Sequence, residues 1–243
     1  MADENVNETL ANIVLSGSEA LGIHLPPDAA AAFESYYLFL KKRSQSVNLT
    51  AITDAEDVAR LHFLDSIALL NAAPFNFSRT VDIGSGAGFP GLALKIAEPS
   101  IDLTLLDSTG KRIDFLSELC SLLGLNVSCV HARAEEAARA PDMREKYDIA
   151  VSRAVARLNV LCELCLPFVR IGGLFAAMKG VCSDDELSEA YTSISILGAA
   201  LDCVFDYVIP GTDITHRIIL IRKSSYTTNI YPRRFAKIQK SPL

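Results

Sequence analysis

The sequence predicts an α/β fold: a doubly wound, Rossmann-like sheet of parallel strands, closed by an antiparallel terminal hairpin and preceded by a helical cap. Three observations carry this. From Thr80 onward, short apolar runs alternate with helical stretches, the pattern of a parallel sheet with helices on both faces. The first run passes directly into a glycine turn, Gly84 to Gly91, that opens a helix. The last two runs are joined only by Pro210 to Thr215, and parallel neighbours need a crossover of about a dozen residues or more.

The elements follow in order. Asp28 to Lys42 places Phe33, Tyr36, Tyr37, Phe39 and Leu40 at mixed three-and-four spacing, and Glu56 to Leu70 is similar, so both read as helices. Asn71 to Pro74 breaks the pattern. Residues 1–75 are therefore expected to form the cap, 76–223 the sheet domain and 224–243 a basic tail. Strands are expected at Val81–Ile83, Leu103–Leu106, Val127–Val130, Tyr147–Val151, Leu174–Met178, Val204–Ile209 and Ile218–Ile221. Pro90 suits a first helical position, where its missing N–H costs nothing; Leu92, Leu94 and Ile96 make that helix apolar, and Glu98 and Pro99 end it. Between the fifth and sixth strands, Ser183 and Glu186 form a capping box, with Asp184 and Asp185 at the positive helix end.

A chain of 243 residues, half of them hydrophobic, is long enough for one α/β core and a small addition. No apolar run approaches a membrane span, and the start MADENVNE is acidic where a signal peptide needs positive charge. A soluble, cytoplasmic protein acting as a monomer is expected. The six cysteines show no disulfide framework; Cys120, Cys129 and Cys203 sit singly in apolar stretches and read as small core hydrophobes. Cys162 and Cys165 have a zinc or redox spacing, but no second pair completes a metal site and the surrounding helix is amphipathic. No metal is expected. The net charge of −6 is unevenly distributed, because after Asp213 there are seven basic residues and no acid. That segment reads either as a handle for a polyanion or as a solvated tail.

Four glycines in eight residues imply a tight turn and close approach of a ligand to the backbone. A dinucleotide fingerprint has glycines at positions one, three and six, yet counting from Gly84, position six is Phe89. The register Gly86, Gly88, Gly91 does match, but it starts three residues beyond the strand and leaves Asp82 without a role. Asp82 followed by glycines at 84, 86 and 88 is the arrangement by which methyltransferases bind S-adenosyl-L-methionine. Asp107 ends the next strand twenty-odd residues on, where a doubly wound sheet places the acid that binds a cofactor ribose. Alone, Asp107 reads equally well as a cap for the helix near Ser108; its distance from the loop favours the ligand role. Five parallel strands closed by a hairpin is the class I methyltransferase variation of this sheet.

With these elements in place, the chain resembles the ribosomal RNA small subunit methyltransferase G family, also called glucose-inhibited division protein B. The resemblance rests on Asn48, Leu49 and Thr50; His62 with Leu64, Asp65 and Ser66; the loop DIGSGAGFPG; Leu105 to Ser108, then Lys111, Arg112, Phe115 and Leu116; Arg133, Ala134 and Glu135; Ser152, Arg153 and Ala154; Lys179 and Gly180; and the ending Tyr231 to Arg234 with Lys240 to Leu243. The chain departs from the family's pattern at Leu61, where a basic residue is usual before the histidine, and at Phe235 and Ala236, where small turn residues are usual.

The resemblance implies S-adenosyl-L-methionine-dependent methylation of N7 of one guanine in 16S ribosomal RNA, with that RNA or the small subunit as partner. It also implies that Asp82, Gly84, Gly86, Phe89, Asp107, Ala134, Glu135 and Arg153 serve the cofactor, and that Arg153, Lys111, Arg112, His62, Arg233 and Arg234 serve the substrate. Structural alternatives stand beside several of these. Phe89 also reads as core packing, Glu135 as a first-turn helix acid, Arg153 as a partner of Asp148 or another carboxylate, and Lys111 and Arg112 as a solvated face. His62 and Asp65 share a helix face and either close the site or form a buried histidine–carboxylate pair. No acid or base is assigned, since N7 has a lone pair and no proton to lose, and there is neither an Asn/Asp-Pro-Pro-Tyr tetrapeptide nor a Pro-Cys pair. The rival readings are a small-molecule methyltransferase and a non-catalytic cofactor-binding regulator.

Overall fold

A seven-stranded sheet organises the computed structural model, which describes residues 9–44, 49–153 and 155–243. Asn48 and Ala154 of the sequence motifs lie outside the described residues. Helices α1 (Leu10–Ala20), α2 (Ala29–Ser44) and α3 (Ala55–Val58) come first. A π-helical turn (Ala59–Leu64), α4 (Asp65–Ile67) and a 3-10 turn (Ala68–Asn71) continue α3. The sheet region then alternates β1 (Arg79–Ile83), α5 (Gly91–Ala97), β2 (Asp102–Asp107), α6 (Gly110–Leu122), β3 (Ser128–His131), α7 (Ala134–Ala137), β4 (Tyr147–Arg153), α8 (Leu158–Cys165) and β5 (Val169–Gly180). Helix α9 (Asp184–Ile196), strands β6 (Ala199–Val208) and β7 (Thr215–Lys223), and α10 (Phe235–Lys240) complete the chain.

The strand order is β3-β2-β1-β4-β5-β7-β6. The first five strands are parallel, and β7 runs antiparallel to both β5 and β6. The expected strands and terminal hairpin are all present. Each sheet face is covered, which is why the central strands read as unbroken apolar runs. On one face α5 and α6 pack with the amino-terminal helices in a single apolar cluster that includes Phe33, Tyr36, Phe63, Leu92 and Phe115. On the other face α8, α9 and α10 share a cluster with Val81, Ala150 and Phe175. No helix among the described residues is long and apolar enough to cross a membrane.

Several local expectations give way to tertiary contacts. Pro90 is the N-cap of α5 and not its first helical residue. Ser183 makes no capping bond to α9, and its buried hydroxyl has no hydrogen-bond partner among the described residues. Glu186 instead accepts the backbone N–H of Leu158 (2.9 Å) and pairs with Lys179 (2.7 Å). Cys162 and Cys165 are buried core residues, but Cys203 is exposed, because β6 is an edge strand with a register shift between Leu201 and Cys203. Cys120 is buried in the apolar cluster of α5 and α6, and Cys129 is half-buried against it.

The basic end is acid-free in sequence but not in space. Arg217 pairs with Asp184 and Asp206, Arg222 with Asp202, Lys223 with Glu145, and Arg233 with Glu163. Nor is the last segment a loose tail. Every backbone carbonyl from Thr227 to Pro232 accepts a hydrogen bond from one of two arginines, at 2.5 to 3.3 Å: Arg144 takes residues 227, 228 and 231, and Arg139 takes 229, 230 and 232. Ile238 of α10 is fully buried. Arg234, Lys237 and Lys240 are exposed and make no ion pair among the described residues.

Candidate functional site

The carboxyl ends of β1, β2, β3 and β4 open onto one cleft of about 410 Å³, the position where open α/β sheets bind ligands. The loop after β1 forms its floor. Gly84 has φ +75, and a Cβ there would run into Val155. Gly88 has φ +103 and lies against the Tyr36 side chain, whose hydroxyl donates to the carbonyl of Ala87 at 2.6 Å. Helix α2 thus grips the loop from the far side. Ser85 fastens it to β2, its hydroxyl oxygen accepting the N–H of Leu106 at 3.0 Å.

Asp82 departs from its expected place. It is fully buried beneath the loop, absent from the cleft wall, and accepts the N–H of Gly91 at 2.9 Å. Its other oxygen has no hydrogen-bond partner among the described residues, and burial raises its pKa to about 7 despite the Gly91 bond. Its work is to fix both ends of the loop. Asp107 does reach the cleft, and it accepts N–H bonds from Gly86 (3.0 Å) and Thr109 (2.8 Å) with Arg112 at 3.5 Å. Asp107 is not the cap of α6: the N-cap is Thr109, which makes no side-chain capping bond among the described residues, and Asp107 takes the Thr109 N–H ahead of the helix. Ala134 and Glu135, opening α7, line the same wall.

Opposite lies an aromatic and charged cluster. Phe89 stacks on Tyr36 (5.3 Å between centroids) and His62 (4.6 Å), and the Arg153 guanidinium sits over its ring at 5.1 Å. Arg153, at the end of β4, donates to Asp65 (2.7 Å) and to the carbonyl of Leu61 (3.1 Å). Asp65, 1% exposed, also accepts the Tyr207 hydroxyl and His216 Nδ1–H, each at 2.7 Å. Burial pushes the Asp65 carboxyl up, but the His216 bond, the Arg153 charge and the Tyr207 bond together hold it below its usual value. His216 is raised by its bond to Asp65. His62 projects from the π-helical turn, a device often found at functional sites, and bonds Thr50 Oγ1 at 2.9 Å. Burial and the nearby Arg153 lower it to about 4, so it is neutral at pH 7. The buried carboxylate's histidine partner is thus His216, not His62, and the partner of Arg153 is Asp65, not Asp148, which binds Arg170.

Of the residues expected to serve the site, Gly84, Gly86, Phe89, Asp107, Arg112, Ala134, Glu135, Arg153 and His62 line the cleft. Asp82, Lys111, Arg233 and Arg234 do not. Lys111 is exposed on α6, Arg233 is held by Glu163, and Arg234 borders a neighbouring cavity with Arg133 and Arg139. Leu49, Thr50, Val155, Leu164 and Phe235 also line the cleft, and nothing local in the sequence sets Leu164 or Val155 apart from core residues. The cleft has room for a nucleoside cofactor: its volume is ordinary for such a ligand, its floor lacks a side chain at Gly84, and the Asp107 carboxylate at the end of β2 could accept from a ribose hydroxyl. Such a lining would suit S-adenosyl-L-methionine, with Asp107 available to the ribose and Ala134 and Glu135 available to the base.

The family model for rRNA small subunit methyltransferase G (GidB) matches residues 29–208. The ribosomal RNA small subunit methyltransferase G of Acetivibrio thermocellus is 42% identical over 235 residues, covering 96% of this chain and 97% of that protein. Its namesake from Alkaliphilus oremlandii is 44% identical over 236 residues, covering 96% and 99%. Among solved structures, the YcgJ protein from Bacillus subtilis has a TM-score of 0.50 at 16% identity, covering 68% of this chain and 100% of that one. StiE O-MT has a TM-score of 0.52 at 14% identity, covering 67% and 74%. These two likenesses speak for the fold alone. The family model and the near full-length relatives place this chain in the rRNA small subunit methyltransferase G family of methyltransferases.

Proposed function

We propose that this methyltransferase uses S-adenosyl-L-methionine to methylate N7 of one guanine in 16S ribosomal RNA, with the RNA or the small subunit as its cytoplasmic partner. The observation carrying this reading is the convergence on one cleft of the Gly84–Gly88 floor, the Asp107 carboxylate and the Phe89–His62–Arg153 cluster. The cofactor supplies an electrophilic methyl group on a sulfonium. Guanine N7 attacks with its own lone pair and loses no proton, so the protein's task is alignment and exclusion of water.

Asp107 takes the ribose hydroxyls, and the loop backbone accommodates the cofactor at Gly84 and Gly86. Arg153 orients the purine edge, its guanidinium fixed in position by Asp65 before substrate arrives. The faces of Phe89 and His62 exclude water beside it, and neutral His62 adds no charge that would repel the sulfonium. Arg112 lies on the rim, where a phosphate would pass.

Transfer of a labelled methyl group to unmodified 16S RNA or small subunits, followed by nucleoside identification, tests the reading. Label recovered as N7-methylguanosine is the expected result. Label in another nucleoside refutes the N7 assignment, and no transfer to RNA in the presence of bound cofactor favours a small-molecule substrate or a non-catalytic role.

A further inference from the structure

We propose that the carboxyl-terminal segment supplies a wall of the cofactor site through Phe235, latched by a buried ion pair between Arg233 and Glu163. This rests on the reading of the cleft as the S-adenosyl-L-methionine site. Glu163, in the middle of α8, is fully buried, and its carboxylate accepts the backbone N–H of Arg233 (2.7 Å) and the side-chain Nε (2.8 Å) and Nη2 (2.5 Å). A buried carboxylate bound through both main chain and side chain of one residue fixes that residue's position along the segment. Two residues on, α10 begins, and Ile238 is fully buried in the cluster formed with α8.

Between these two anchors stands Phe235. It is half-buried and lines the cleft together with Leu164, Ala134 and Glu135. An aromatic ring partly open to a cleft, beside a leucine and an alanine, is suited to pack against the flat face or edge of a heterocycle. The wall formed by Ala134 and Glu135 is the one assigned to the adenine. Phe235 also lines the adjoining cavity with Arg133, Arg139 and Arg234, so it separates the cofactor's base from a basic recess. The last segment therefore serves the cofactor as well as any polyanion.

Calorimetry with S-adenosyl-L-methionine and the full-length protein tests this. Phe235→Ala is expected to weaken binding about five- to tenfold in a protein that stays folded, its melting temperature lowered only by the partial contact the ring makes with the α8 cluster. Phe235→Leu is expected to retain affinity within about twofold, since it preserves the apolar contact. Gln239→Ala, in the same helix but outside the cleft, is expected to bind like the parent. The chain contains no tryptophan, so Phe235→Trp installs a single reporter whose emission is expected to change when the cofactor binds. A parent that binds while Phe235→Ala matches its affinity, or an emission indifferent to saturating cofactor, overturns the wall and leaves the cofactor assignment standing. A parent that binds no S-adenosyl-L-methionine overturns both.

Discussion

Replacing Asp65 by Asn removes one negative charge from a position that is 1% exposed and serves three donors, Arg153, His216 and Tyr207. Two of those donors are cationic or become so, and the Arg153 side chain is only 15% exposed, so water cannot replace the missing carboxylate. Breaking a buried ion pair by removing one partner costs about 3–5 kcal/mol. Asn keeps one acceptor oxygen, which puts the expected cost near the low end. At about 2–4 °C per kcal/mol for a chain of this length, the melting temperature at pH 7 should fall by roughly 6–12 °C. The folded-state pKa of Asp65 is depressed, so its stabilisation is present above the unfolded value of about 3.9 and is lost as pH falls through the lower folded value. His216 moves the other way: its raised pKa gives stability that is full below about 6.5 and is lost as pH rises through the folded value. Scanning calorimetry of parent and variant should therefore show the largest gap in mildly acidic to neutral solution, narrowing at both extremes. A gap below about 2 °C at pH 7, or one that persists unchanged into strong acid, would refute the claim that this carboxylate holds the cluster together.

Gly84→Val is expected to abolish S-adenosyl-L-methionine binding in a folded protein, because the new side chain meets Val155 and the cleft at a residue with φ +75; calorimetry showing parent-like affinity would count against the loop as the cofactor floor. Burial raises Asp82 to about 7, so the folded state keeps a proton that the unfolded chain releases, and stability should decline as pH rises from about 4 to about 7. Asp82→Asn should flatten that decline at a cost of less than about 1 kcal/mol at pH 7, as read from denaturant titrations. Replacing Arg234, Lys237 and Lys240 together by Ala should flatten the salt dependence of RNA binding by roughly 0.7–0.9 log units for each phosphate no longer neutralised; an unchanged slope would place the RNA-binding surface elsewhere.

The parallel strands were readable because a strand covered on both faces is apolar along its length, and the hairpin because six residues cannot make a parallel crossover. The places of the glycine loop and Asp107 in the cleft wall were readable because each lies at the carboxyl end of a parallel strand, where an open α/β sheet forms its crevice. What stayed hidden depends on distance along the chain. His216 reaches Asp65 across 151 residues and Tyr207 across 142, so no local pattern links them, and the three-residue spacing on one helix pointed to His62 instead. The Ser183–Glu186 box failed for a related reason, since Lys179 and the Leu158 N–H compete successfully for the Glu186 carboxylate. Charge segregation was the most misleading signal. Acids at 145, 163, 184, 202 and 206 meet the basic end in space, leaving Arg234, Lys237 and Lys240 as its cations without an ion pair among the described residues.

Two arginines that hold six consecutive carbonyls read only the main chain, and every residue type carries the same main chain. In the middle of the stretch from Thr227 to Pro232 the side chains of Thr228, Asn229 and Ile230 are exposed, so there the route is guided without regard to side chain, as the 68% exposure of Ile230 illustrates. Its ends are also held by the Thr227 hydroxyl, bound to Lys223 and the Leu197 carbonyl, and by buried Pro232. Substitutions at 228–230 can accumulate while Arg233 and Phe235 still arrive at their places, whereas a change at Arg139 or Arg144 misroutes everything downstream. The variability such a segment would show across descendants of this chain would then measure how its course is enforced, and would not mean that the segment is dispensable.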